Sequence, residues 1–307
     1  MKMMMTYAKH FTGTRSLPRP LGLATAALLA SSALLPAQPA KTTFQQGVDA
    51  YNQGNFDAAI AFDTEVIRLN PKNANAYDNR GLAYFAQLND DQAIADYNQA
   101  IRLDPNNAQP YYDRGNAYGH KGNFGRAIED FNQAIRLNPK DARAYNNRGH
   151  AYASRGDHAK AVADYDEAIL LDPQHTKSYY NRGDAYAHLG EYGKALTDFD
   201  QAIQRDPNYA AAYNAQAWVL ATCPQAGLRN GAKAVEEATK AYTLTAGQDA
   251  GAVDTLAAAC AEAGDFDNAI KWERQCLATP NQSAKETAEV KKRLALYQAH
   301  QPYHAEK

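Results

Sequence analysis

The 307-residue sequence predicts an all-α chain, a solenoid of helix-turn-helix units, because three residue series share one 34-residue register. Tyr77, Tyr111, Tyr145, Tyr179 and Tyr213 form the first series. Gly81, Gly115, Gly149 and Gly183 form the second, and Pro71, Pro105, Pro139, Pro173 and Pro207 the third. A further run, Tyr84, Tyr118, Tyr152 and Tyr186, follows the first tyrosines by seven residues. Both tyrosine runs and the glycines between them then share one helical stripe, which is expected to be buried.

Each unit opens on a helix carrying the Tyr-Gly-Tyr stripe. A glycine within a helix costs about 1 kcal/mol relative to alanine, so its recurrence predicts a neighbouring helix too close for a side chain. Gly122, Gly156 and Gly190 then stop the first helix. The second helix places Ala93, Ala127, Ala161 and Ala195, an aromatic (Tyr97, Phe131, Tyr165, Phe199), and Ala100, Ala134, Ala168 and Ala202 toward the first. The prolines, each preceded by Asn or Asp, forbid further helix and start the next unit.

This spacing of Tyr, Gly, Tyr, Ala, aromatic, Ala and Pro resembles the tetratricopeptide repeat. The resemblance implies a right-handed superhelical solenoid with a C-terminal capping helix. Seven repeats are expected, at 40–73 (divergent), 74–107, 108–141, 142–175, 176–209, 210–249 and 250–283. The sixth carries an insertion around Cys223-Pro224-Gln225-Ala226-Gly227. Residues 284–307 form a cap and tail, with Val290, Leu294 and Tyr297 covering the last repeat while Lys291, Lys292 and Arg293 face water.

Ahead of the repeats no Asp or Glu occurs before Asp49, and Lys2, Lys9, Arg15 and Arg19 precede an uncharged stretch from Leu21 to Leu35. Residues 1–37 read as a secretory signal peptide, cleaved after Ala37 or, failing that, Ala40; a mitochondrial transit peptide is the alternative. The stretch is shorter than the ~20 residues a transmembrane helix needs. The expected location is therefore exported, periplasmic or secreted. A formal charge of −2 argues against a nucleic-acid clamp or a polybasic membrane binder. Three cysteines exclude a disulfide-stapled miniprotein and a zinc-ribbon array.

Arg80, Arg114, Arg148 and Arg182 stand where the family usually has an apolar residue, and Asp96, Asp130, Asp164 and Asp198 lie at matching height on the second helix. They are expected to form structural ion pairs, with anion binding as the alternative. The first helices, by the resemblance, line a concave groove. Its candidate protein-binding or peptide-binding residues are Asp78, Asn79, Tyr112, Asp113, Asn116, Asn146, Asn147, His150, Lys177, Tyr180, Asn181 and Asp184. Amides donate and accept, so an Asn ladder can hold a peptide backbone, and tyrosines add contact area. The family's carboxylate clamp is matched at Asn116, Asn147 and Lys177 but not at Tyr112 and Asn181. Trp218 is read either as a partner anchor or as packing under Leu228.

No nucleophile elbow, phosphate-cradling loop or zinc-binding histidine pair is present in the sequence. His120 and His188 lie two repeats apart, so no metal and no cofactor is expected. The reading is a non-catalytic adaptor holding a protein or peptide in its groove, in a bacterial cell envelope. A self-assembling structural protein and an accessory to polysaccharide export are the alternatives.

Overall fold

The structure, a computed structural model, describes residues 40–278 and 283–305, so the expected signal peptide lies outside the described residues. Two compact units divide between Ala151 and Tyr152. The first holds α1 (Ala40–Asn52), α2 (Phe56–Leu69), α3 (Ala74–Ala86), α4 (Asp90–Leu103), α5 (Ala108–His120), α6 (Phe124–Leu137) and most of α7 (Ala142–Ser154). The second holds α8 (His158–Leu171), α9 (Thr176–His188), α10 (Tyr192–Arg205), α11 (Ala210–Thr222), α12 (Gly231–Leu244), α13 (Ala250–Glu262), α14 (Phe266–Leu277) and α15 (Ala284–Gln298). The described residues contain no strand. Within the units, α1 packs on α2, α3 on α4, α5 on α6, α9 on α10, α11 on α12 and α13 on α14.

The local causes are those the sequence encodes. Asn55, Asn73 and Asn123 accept from the backbone at the third residue onward and cap α2, α3 and α6. Gly54, Gly122, Gly156, Gly190 and Gly264 stop first helices with positive φ. The residue before each repeat proline is extended, as at Asp104 (φ −137°, ψ 87°) and Asp172 (φ −136°, ψ 87°). Its carboxylate or amide oxygen accepts from the N–H two residues on, at Asn70, Asp104, Asn138, Asp172 and Asp206 alike. This is why Asn or Asp stands there.

Close approach explains the helical glycines. A Cβ on Gly81 would come within 2.6 Å of the Tyr97 ring, on Gly115 within 2.8 Å of Phe131, and on Gly183 within 2.7 Å of Phe199. The tyrosine stripe departs from expectation. Tyr77, Tyr84, Tyr111 and Tyr118 are only half-buried, and the fully enclosed positions of those first helices are alanines such as Ala83 and Ala117. The rings lie instead beside arginine: Arg80 is 5.7 Å from the Tyr77 ring centre and 6.0 Å from that of Tyr84. A phenol at this place keeps its hydroxyl near the surface, as Tyr111 does against the Pro105 carbonyl at 3.4 Å.

In the sixth repeat the insertion makes a 3-10 turn at Ala226–Leu228 before α12. The terminal helix begins at a capping box, in which Ser283 and Glu286 satisfy each other's backbone. Val290 and Tyr297 are buried, Leu294 is half-buried, and Lys291 and Lys292 are exposed. Arg293 does not face water. It is buried, with Nη2 2.5 Å from Asp254 Oδ1 and Nε 3.0 Å from Glu273 Oε1. Two carboxylates beneath the cap required a cation, and helical periodicity alone could not show them.

Candidate binding surface

The expected binding residues stand on the first helices α3, α5, α7 and α9. On α5 and α7 they do not form an open ladder of free amides. Asn147 Nδ2 donates to Asn116 Oδ1 at 2.8 Å and to the Tyr112 hydroxyl at 3.1 Å, and Asn146 Nδ2 donates to Asn147 Oδ1 at 3.0 Å. Tyr112, Asn116 and Asn146 are buried and Asn147 half-buried. Burying an unpartnered polar group costs about 1–3 kcal/mol, so amides on neighbouring first helices satisfy one another.

Asn79 leaves the row for the interior of the first repeat, where its Nδ2 donates to Asp63 Oδ2 at 2.5 Å. Asp113 is buried and accepts from Gln109 Nε2 at 2.8 Å. Beside it, Asp78 is half-buried, and its Oδ1 has no hydrogen-bond partner. Burial pushes both carboxyls well above the usual range, and the Asp113 charge adds to the rise at Asp78. The pair therefore keeps a proton near neutral pH. Arg143 borders this patch, bonding Asp141 through Nε at 3.0 Å and Nη2 at 2.8 Å, with its guanidinium 4.9 Å from the Tyr112 ring centre. Sequence reasoning missed Gln109 and Arg143. The signal was their register, since they precede Lys177 by two repeats and one.

On α9, Tyr180 is buried, edge-on to Tyr209 at 5.3 Å, while Lys177, Asn181 and Asp184 are half-buried, as is His150 on α7. Burial raises the Asp184 carboxyl to about 6, opposed by the nearby His158. The His158 and His188 rings stack at 4.4 Å.

The arginines bond on two sides. Arg80 reaches Asp96 through Nη2 at 2.7 Å, Arg114 reaches Asp130 at 2.6 Å, and Arg182 reaches Asp198 at 2.7 Å. Each also extends Nη1 to the preceding repeat, Arg80 to Thr64, Arg114 to Asn98 and Arg182 to Asp166. Arg148 makes the same backward bond to Asn132 at 2.7 Å, and Asp164 is buried. Sequence spacing revealed the forward partner only. The backward bond fastens one hairpin to the previous one, and it uses the fork geometry that lysine lacks. Among the described residues one cluster has metal-ligand types, Asp254, Glu273 and Cys276, within 4.8 Å of one another. Arg293 already supplies its positive charge.

Stacked helix hairpins with a polar row on their first helices fit the class of repeat proteins that bind other proteins. Models of the tetratricopeptide repeat match residues 112–176 and 148–225, and a model of the TPR repeat matches 89–122. A comparison with curated proteins gives no match. Among solved structures, that of MamA protein is 28% identical, with 56% of this chain and 93% of that one covered at a TM-score of 0.50. PilW, a widely conserved type IV pilus biogenesis factor, is 23% identical over 71% of this chain and 97% of its own, at 0.62. YrrB, a TPR protein with an unusual peptide-binding site, is 24% identical over 58% and 92%, at 0.51. Residues 89–225 therefore carry tetratricopeptide repeats. No described helix is long and apolar enough to cross a membrane.

Proposed function

We propose that this is an exported, non-catalytic scaffold that holds an extended protein segment against the first helices of its repeats. The observation that carries the reading is the patch of Asp78, Asp113, Tyr112, Asn116 and Asn147, where one carboxyl oxygen, Asp78 Oδ1, is buried without a partner. That atom is enclosed, but the Asp78 and Asn147 side chains are half-buried and border the surface, where the backbone of a bound segment can meet them. The half-buried Asn147 and exposed Arg143 give the segment polar contacts at the rim. His150 adds to the reading on α7, and in the other unit Lys177, Tyr180, Asn181 and Asp184 are the corresponding candidates by themselves. Export is supported by the acid-free basic start and apolar stretch of residues 1–37.

The test is site-directed photo-crosslinking in cells from Asn147, compared with the same probe in an Asn116→Ala, Asp78→Ala background. A discrete crosslinked protein that disappears in that background supports the reading. Its persistence refutes the patch as the contact. The mature chain should begin at Gln38 or Lys41, and full-length protein in the cytosol would refute export.

A further inference from the structure

The chain reverses after α15. His300 has left-handed backbone (φ 55°), its amide donates to the Tyr297 carbonyl at 3.0 Å, the Gln301 amide donates to Leu296 at 2.9 Å, and Pro302 bars further helix. A residue other than glycine is disfavoured in this conformation. His300 holds it by stacking on Phe266, with ring centres 5.1 Å apart and 9° between planes.

Beyond the reversal the tail lies against α11 and α13. The Tyr303 ring is 6.3 Å from that of Trp218, and the Arg293 guanidinium lies 5.9 Å from the Trp218 ring and 5.8 Å from the Tyr303 ring. His304 Nε2 is 2.7 Å from Glu262 Oε2, while Arg229, from the insertion, holds Glu262 Oε1 at 2.9 Å. The Ala305 amide donates to the Thr222 carbonyl at 2.8 Å. An aromatic anchor, an imidazole against a carboxylate and a main-chain hydrogen bond are the contacts by which a scaffold takes a peptide. Trp218 on α11 holds the position that Asp184 holds on α9 of the same unit, so the tail covers a continuation of that unit's first-helix surface. Residues 302–305 are half-buried rather than enclosed, which suits a segment that can leave.

We infer that the tail is a resident ligand of the α11 and α13 face, and that an external protein segment with an aromatic residue followed directly by a basic one displaces it. This rests on the reading of the first helices as a binding surface. The probe is a fluorescein-labelled peptide of residues 299–305, titrated by polarisation into the full chain and into the full chain with Tyr303→Ser and His304→Ser. Removing the resident aromatic contact should tighten peptide binding about tenfold, and adding Glu262→Gln should reverse the gain. Equal affinity for both chains overturns the inference. So does a dimer in sedimentation that the tail substitutions dissociate, since the tail would then belong to a second copy. A readout needing no variant is amide exchange at Ala305 of the natural chain, which excess peptide should accelerate; unchanged exchange overturns the inference. Asn116→Ala leaves this peptide's affinity unchanged, so failure here is distinct from failure of the proposed function.

Discussion

In the second, third and fifth repeats a ring from the second helix, Tyr97, Phe131 or Phe199, fills the space over a glycine of the first. In the first and seventh the same slot holds a carboxyl, Asp63 or Glu273, both fully enclosed. The sixth has Ala238 there and Ala217 in place of the glycine. A phenylalanine ring over glycine gains apolar burial without a polar cost, whereas the Tyr97 hydroxyl is buried without a partner. A carboxyl there needs a partner, and the two ends differ in what they provide. Asp63 has the Asn79 amide, with Oδ1 unpartnered, and burial pushes it up to about 7 despite that bond and Arg80. Glu273 has Arg293, lent by the capping helix. Burial raises both carboxyls, Glu273 to about 8, and each keeps one oxygen unpartnered. The ends differ in that the final repeat's carboxyl is tied to its cap through Arg293, whereas the first repeat's has only an amide.

Removing the lent cation should have the largest effect. Arg293→Leu strands two carboxyls, so urea unfolding of the last repeats should show a loss of about 3–5 kcal/mol, the usual cost of breaking a buried pair. Arg293→Met with Glu273→Leu should recover most of it; if it recovers nothing, the charges are not the reason for the loss.

Next in size is the central ladder. Arg182→Ala should destabilise by about 2–3 kcal/mol because Asp198 is left buried and unpaired, and adding Asp198→Ala should return part of that. Strict additivity in the unfolding free energies would mean that the pair is not coupled.

The pH dependence of the first repeat follows from the sign at Asp63. Its folded pKa of about 7 lies above the unfolded value, so its contribution is full below about pH 4 and is lost as pH rises through about 7. Urea unfolding should show a loss of about 1–3 kcal/mol between pH 5 and 8. Asp63→Asn should flatten that slope. A slope unchanged by the substitution would assign it to another group.

The smallest effect is expected at Leu88, which is exposed and stands where other repeats have a glycine, with φ 64°. Leu88→Gly should raise stability by about 1 kcal/mol, since left-handed backbone is unfavourable for leucine. Thermal melts of the two chains give the comparison, and a lower melting point for the glycine variant would contradict it.

Much of this was legible in one dimension. The helices, their stops and the Asx-Pro turns are local consequences of short sequence patterns, and the Arg-Asp partners were found because both recur in one period. Asn79, Arg293 and Gln109 were not, since each has a partner outside the repeat pattern: an acid in an aromatic slot, two acids beneath the cap and a carboxylate one turn away on the same row. Trp218 was recognised as an anchor candidate, and the ring beside it, Tyr303, lies outside the repeat pattern.

The sequence by itself determined the all-α repeat, its 34-residue register, the glycine-for-ring exchange and the turn chemistry, because these depend on neighbours within one or two helices. Only the tertiary structure decided which polar residues of the first helices remain available and which are consumed by one another, and that the chain's end returns to cover Trp218. The reason is desolvation. Whether an amide or a carboxyl is free depends on every group that approaches it, and those approaches come from helices and a tail that periodicity does not relate.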